Sequence, residues 1–96
     1  MSAADNDPLI RQLRDRLAEN DVAIVEALNT RLKLVAQLKR VKAERGIAFL
    51  DPAREERMLQ YLTRANSGPL STEGLHQIYT ELLDLTKREV GRSDET

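Results

Sequence analysis

The chain has 96 residues, no cysteine and a formal net charge of -1, although 32% of its residues are charged. This length predicts one domain with a small core, and the lack of cysteine excludes disulfides and thiolate metal sites. The balanced charge provides no global attraction to nucleic acid or to an anionic membrane, so any anion site must be local.

The sequence of the first residues leads us to expect no targeting or membrane signal. Residues 1–9, MSAADNDPL, have neither a basic region nor an apolar run, and no apolar run in the chain approaches the ~20 residues that a membrane span needs. We therefore expect a cytoplasmic protein without a membrane partner. His76 is the only histidine, and one imidazole cannot build a metal site alone. We expect neither a metal nor a cofactor.

The first predicted helix is unusually long. Asp7 and Pro8 begin it, the carboxylate as N-cap and the proline at the first helical position, and no further Pro or Gly occurs before Gly46. Its apolar residues recur at steps of three and four: Ile10, Leu13, Leu17, Ile24, Leu28, Val35 and Leu38. A helix of about 36 residues runs roughly 54 Å, which is too long for the rest of the chain to cover.

Two shorter helices are predicted to follow. Asp51 and Pro52 begin the second helix in the same way as the first, and residues 66–71, NSGPLS, end it. Either Ser71 or Thr72 then caps the third helix. No segment shows the strict alternation of a half-buried strand, so the predicted fold class is all-α.

The third helix is predicted to end at Gly91, with residues 92–96 as a disordered tail or the start of a linker. Residues 1–6 are predicted to form a disordered tail as well, so the domain is residues 7–91. One long helix that overhangs two shorter ones predicts an intertwined homodimer, in which two long helices cover each other.

Two cations interrupt the apolar stripe of the first helix. On a helical wheel Arg31 and Lys42 fall near the centre of the stripe, about 16 Å apart along the axis, with Val35 and Leu38 between them. An unpaired buried charge costs several kcal/mol, so both cations need anionic partners. Two interpretations stay open from the pattern: a pair of core salt bridges, or a bracket for an anionic ligand.

Other charged residues belong to this candidate site only under further assumptions. Arg14 lies about 25 Å from Arg31 along the helix, so the two share a small ligand only if an antiparallel partner brings the helices together; otherwise Arg14 is a surface arginine. Asp51, Arg54 and Glu55 share one helix face, although capping and the helix dipole explain most of that pattern.

No nucleic-acid partner is expected for the basic cluster at residues 39–45. Phe49 is the only aromatic residue near it, and Glu26 and Glu44 flank it. No catalytic nucleophile or base stands out anywhere in the chain. Fixed cations without acid–base groups suit chemistry in which the protein positions a polyanion and stabilises charge without proton transfer.

The order of these motifs resembles that of the all-helical, type II chorismate mutases over nearly the full length of the chain. The matching features are LRDRL with Arg14, then Asp21, then Arg31 and Lys42 eleven residues apart, then D-x-x-R-E at Asp51, Arg54 and Glu55, and the GPL linker before the third helix. The resemblance implies an intertwined dimer with two equivalent sites. Each site would convert chorismate to prephenate by a Claisen rearrangement in phenylalanine and tyrosine biosynthesis.

The resemblance also implies roles for the cations. Arg31 and the partner's Arg14 are expected to bind the two carboxylates of chorismate. Lys42 is expected to bond a carboxylate and the ether oxygen, which gains negative charge as its bond to carbon breaks. Such stabilisation of the transition state, rather than a covalent intermediate, would be the source of the rate.

The remaining site residues follow from the same resemblance. Glu55, with the backbone near Asp51, is expected to hold the ring hydroxyl of the substrate. Arg54 is expected to support the site, and Thr86 stands where the family usually has a serine near the ring carboxylate.

Val90 departs from the family pattern. Four residues after the serine position the family usually has glutamine or glutamate facing the ether oxygen, whereas here Val90 occupies that place and Glu89 is adjacent. Either the helix end shifts so that Glu89 serves, or the group is missing. Its loss is worth about 10²- to 10³-fold in rate by comparison with oxyanion-hole deletions.

Three alternatives to an independent mutase therefore stay open. The first is an isochorismate-pyruvate lyase, built on the same helices and using similar cations. The second is a weakly active regulatory or assembly domain that is fused to, or docks on, another enzyme of the aromatic pathway. The third is a helical interaction module, for which removal of Arg31 or Lys42 would be neutral or stabilising.

Overall fold

The computed structural model describes residues 6–93 of the chain, and it is all-helical. α1 spans Pro8–Glu44, α2 spans Pro52–Ala65 and α3 spans Thr72–Ser93, and no strand occurs among the described residues. The prediction of one long and two shorter helices is confirmed. Apart from Asn6 and residues 92–93, the two predicted tails lie outside the described residues.

The predicted starts of the helices are confirmed by their caps. Asp7 Oδ1 accepts hydrogen bonds from the backbone N–H groups of Leu9 and Ile10, at 2.9 and 3.3 Å. Asp51 Oδ1 accepts one from Arg54 N at 3.1 Å. Ser71 Oγ accepts one from Gly74 N at 2.9 Å. Ser71, rather than Thr72, therefore caps α3, and each cap satisfies donors that a helix start leaves unpaired.

Gly46 ends α1, whereas Gly91 does not end α3. Gly46 has a φ of 67°, and the N–H of the next residue, Ile47, bonds to Lys42 O at 2.8 Å, which closes α1 in a Schellman motif. The prediction that Gly91 ends α3 is wrong, because the helix continues to Ser93. A glycine near a helix end weakens the helix only by about 1 kcal/mol and does not force a stop.

The chain divides into two compact units after Lys33. The second unit contains the end of α1, all of α2 and all of α3. α2 packs against α3, and Thr63 of α2 is linked to His76 of α3 by a hydrogen bond of 3.2 Å between Oγ1 and Nε2. Within the described part of the chain the buried side chains are Tyr79, Thr86 and Val90, so the small core of this unit lies along α3.

α1 contains no buried residue. In the first unit, Leu13, Leu17 and Ile24 of its apolar stripe are 46%, 61% and 50% exposed. This agrees with the length argument, which predicts that one chain cannot cover its own long helix. No helix within residues 6–93 is both long and apolar enough to cross a membrane.

Candidate active site

Lys42 lies in the last turn of α1 and binds the loop that follows it. Its half-buried side chain donates a hydrogen bond from Nζ to Phe49 O at 3.2 Å. The Schellman motif turns the chain back at this point, so the loop carries Phe49 past the helix end. One turn before, Lys39 Nζ lies 5.6 Å from the centre of the Phe49 ring. An ammonium has three donors, so Lys42 retains donors for an anion.

The start of α2 presents a pair of carboxylates with different tasks. Asp51 is exposed, and its side chain caps the helix through Arg54 N. Glu55, in the first turn, is half-buried, and its Oε1 lies 3.2 Å from Lys87 Nζ of α3. The helix N-terminus favours negative charge at both positions. Asp51 therefore has a structural role already, whereas Glu55 faces the neighbouring helix.

Thr86 and Val90 lie one turn apart on α3 and are both buried, at 4% and 3% exposure. Thr86 Oγ1 donates to Leu82 O at 2.7 Å, which is a common way for threonine to satisfy its hydroxyl within a helix. With its proton used in this way, the hydroxyl must rotate before it can donate to a carboxylate. Val90 adds an apolar surface to the same face.

No shift of the helix end brings Glu89 onto the face of α3 that carries Thr86 and Val90. α3 remains regular through residues 86–93, so Glu89 stays one position away from the face that carries Thr86 and Val90. Its Oε1 lies 3.6 Å from Arg92 Nη1. Of the two alternatives drawn from the sequence, the continuing helix therefore favours a missing polar group at position 90.

Arg14 and Arg31 belong to the first unit. Arg14 is exposed, whereas Arg31 is half-buried and its neighbour Lys33 is exposed. The intermediate burial of Arg31 agrees with its place on the apolar stripe of α1. The other predicted site residues belong to the second unit: Lys42, Asp51, Arg54, Glu55, Thr86 and Val90.

Two features of the second unit were not found from the sequence. The first is Lys87, whose contact with Glu55 joins α2 to α3 beside Thr86; no motif marks it, because the contact depends on how the two helices pack. The second is Phe49, whose carbonyl oxygen binds Lys42. Across residues 6–93 no cluster of three His, Asp or Glu side chains is arranged to hold a metal ion.

Fold and site together define a small all-α protein with half-buried cations on its long helix and a carboxylate held between the two shorter ones. The family model for chorismate mutase type II matches residues 13–90, a span that includes every residue of the predicted site. The chain belongs to the chorismate mutase type II family, and by that membership it is an isomerase. The resemblance drawn from the order of the motifs is thus confirmed.

Two solved structures support the same assignment. The chain is similar to chorismate mutase (form II) from Thermus thermophilus, with a TM-score of 0.80, 32% identity, and coverage of 86% of this chain and 94% of that one. For form I of that enzyme the TM-score is 0.77 and the identity 34%, over 80% of this chain and 96% of that one. No curated protein matches the chain.

Proposed function

We propose that the chain converts chorismate to prephenate in the biosynthesis of phenylalanine and tyrosine. The observation that carries this proposal is the family match over residues 13–90. That match includes the whole proposed set of substrate-binding residues: Arg14, Arg31, Lys42, Asp51, Arg54, Glu55, Thr86 and Val90.

The reaction is an intramolecular rearrangement in which one carbon–oxygen ether bond breaks as one carbon–carbon bond forms. No proton is transferred, so the site needs no general acid or base. It needs cations that hold the two carboxylates in the reactive geometry and a donor for the ether oxygen. Arg31 and the partner's Arg14 bind the carboxylates, and Lys42 bonds one carboxylate and the ether oxygen.

The contact of Lys42 supports its role. A half-buried ammonium that is held by the Phe49 carbonyl at 3.2 Å is oriented before the substrate arrives, while its other donors remain for the substrate. A donor fixed in advance stabilises developing charge without reorganisation. Lys42 therefore contributes most to the transition state, in which the ether oxygen is most negative.

The other side of the site binds the ring. Glu55 accepts a hydrogen bond from the ring hydroxyl, together with the backbone near Asp51, and Arg54 supports this end of α2. Thr86 contributes near the ring carboxylate after its hydroxyl turns away from Leu82. The buried position of Thr86, at 4% exposure, limits the water that competes for these bonds.

The protein acts as an intertwined homodimer. Support comes from the exposed apolar stripe of α1, since a contiguous apolar surface of this kind marks an interaction site. The stripe repeats at helical spacing, so a second copy of the same helix complements it, which is the requirement of a two-fold interface. The partner's Arg14 then completes each site.

Val90 favours a second candidate function, that of a weakly active domain. A buried valine at 3% exposure offers no donor to the ether oxygen, so the chain alone is a slow mutase. On this account the chain works while it is fused to, or docked on, another enzyme of the aromatic pathway.

The experiment is a steady-state assay of the purified chain with chorismate that follows both loss of substrate and formation of prephenate. Lys42→Ala is expected to lower kcat/KM by about 10²-fold or more. The matched control is Arg40→Ala, which removes an exposed cation of the same helix and should leave the rate within about twofold.

Other outcomes separate the alternatives. Salicylate formed from isochorismate, with no prephenate from chorismate, would identify a lyase. No turnover of either substrate would contradict the proposed enzyme. Equal activity of wild type and Lys42→Ala would show that the cation on the stripe is structural.

A further inference from the structure

Lys87 contacts the proposed site from the neighbouring helix. Its Nζ lies 3.2 Å from Glu55 Oε1, and the side chains of Lys87 and Glu55 are 41% and 31% exposed. Both line a groove of about 260 Å³ between α2 and α3, with Tyr79 and Leu83 on its α3 side. Lys87 also directly follows Thr86 in the sequence. The ion pair therefore joins α3 to Glu55, the residue that is proposed to hold the ring hydroxyl of the substrate.

Glu55 requires such a partner if the ligand is a dianion. A carboxylate that accepts a hydrogen bond from the ring hydroxyl stands close to the two carboxylates of the same molecule, and like charges at short range disfavour binding. The Lys87 ammonium balances the charge of Glu55. Because it engages one carboxylate oxygen, it also leaves the second oxygen for the hydroxyl.

We propose that Lys87 is a positioning residue, which holds the Glu55 carboxylate in the orientation that accepts the ring hydroxyl and offsets its charge toward a dianionic substrate. This inference rests on the proposed function, because the role of Glu55 is assigned there. Lys87 acts through Glu55 and makes no contact with the bond that breaks. Its effect therefore falls on substrate binding more than on the chemical step.

The first test compares steady-state kinetics with chorismate for the wild type, Lys87→Met and Lys87→Arg. Lys87→Met removes the charge and shortens the unbranched side chain by one atom, so KM should rise about two- to fivefold, the range of a partly exposed ion pair. We expect kcat to change by less than about twofold. Lys87→Arg preserves the pairing and should restore a KM close to that of the wild type.

Arg88→Met is the matched control. Arg88 is the next residue on α3 and is exposed, so this variant loses the same charge from the same helix without touching Glu55. Its KM should equal that of the wild type. Far-ultraviolet circular dichroism and the unfolding midpoint of each variant establish that the fold is retained. Equal rises of KM in Lys87→Met and Arg88→Met would mean that only the general charge of the helix matters, which overturns the proposal.

A double-mutant cycle makes the test specific to Glu55. In a Glu55→Gln background, Lys87→Met should change KM no further, because a neutral amide has no charge to balance. Normal wild-type turnover with an unchanged KM in Lys87→Met would overturn the role of Lys87 and leave the proposed function intact. Absence of chorismate turnover by the wild type would overturn both.

Discussion

Val90 is the residue at which the resemblance predicts a departure from the family pattern, and its burial in the structure determines the cost of a polar substitution there. The side chain is 3% exposed and lies one turn from Thr86 on the same face of α3. A polar group in this place is buried, so it stabilises the protein only if it finds a hydrogen-bond partner. Under the proposed function the ether oxygen of a bound substrate would be such a partner, whereas in the free protein the group would lack it.

We therefore predict opposite effects of Val90→Gln on catalysis and on stability. The variant should raise kcat/KM for chorismate by at least about tenfold, because it restores a donor toward the developing charge. It should lower the free energy of unfolding by about 1–3 kcal/mol, because the amide is buried without the substrate. Kinetics and urea unfolding of the same preparation measure both.

Val90→Met is the control for that prediction. Methionine is similar in length to glutamine but has no hydrogen-bond donor, so Val90→Met should not raise kcat/KM. If Val90→Gln leaves turnover unchanged or lowers it, the account of position 90 is wrong. A gain shared by both variants would indicate that side-chain size, not hydrogen bonding, limits the reaction.

At the scale of the helices, two glycines predict stability changes of opposite sign. Gly46 has a φ of 67°, and a Cβ added to it would meet no atom within 4 Å, so only its backbone conformation resists substitution. Gly46→Ala should lower the free energy of unfolding by about 1–2 kcal/mol, the penalty of a left-handed backbone for a residue with a Cβ. Urea unfolding measures the change.

Gly91 lies within α3, and a Cβ there meets no atom within 4 Å either. Gly91→Ala should therefore raise the free energy of unfolding by about 0.4–1 kcal/mol, since alanine loses less conformational entropy in a helix. Gly68→Ala, in the linker, is the reference, because it changes the entropy of the unfolded chain in the same way without lying in a helix. A loss of stability in Gly91→Ala would show that the helix does not continue past this residue in solution.

At the scale of the whole molecule, the exposed stripe of α1 predicts self-association. Leu17 is 61% exposed, and Leu17→Glu places a charge in the centre of the stripe. By light scattering, the wild type should have twice the 10.9 kDa mass of one chain, and Leu17→Glu should shift toward the single-chain mass and lose activity. Gln12→Glu, on the opposite face of the same helix, should change neither.

If each active site takes Arg31 from one chain and Arg14 from the partner chain, two inactive variants should complement each other. Sites formed within one chain exclude this result. Arg14→Ala and Arg31→Ala should each be nearly inactive alone. When the two are unfolded and refolded together in equal amounts, random pairing makes about half of the dimers mixed, and each mixed dimer has one intact site of two. About a quarter of the wild-type activity should therefore return. No recovery would mean that both arginines act within one chain, whereas an active Arg14→Ala variant on its own would mean that Arg14 has no part in the site.

Much of the fold was determined by local sequence. Asp7 with Pro8, Asp51 with Pro52, and the NSGPLS linker predicted the helix boundaries because caps, proline and turn residues act on the backbone within a few positions. The order of Arg14, Lys42 and the D-x-x-R-E motif indicated the family for the same reason: it is a property of spacing along the chain.

The contacts between helices were decided only by the tertiary structure. The pairing of Lys87 with Glu55, the burial of Thr86 and Val90, and the bond from Lys42 to Phe49 each depend on residues that are distant in sequence or on the path of a loop. Gly91 shows the same limit, because its helix continues where local propensity predicted an end. Spacing along one helix places side chains on a face, but only packing determines what that face meets.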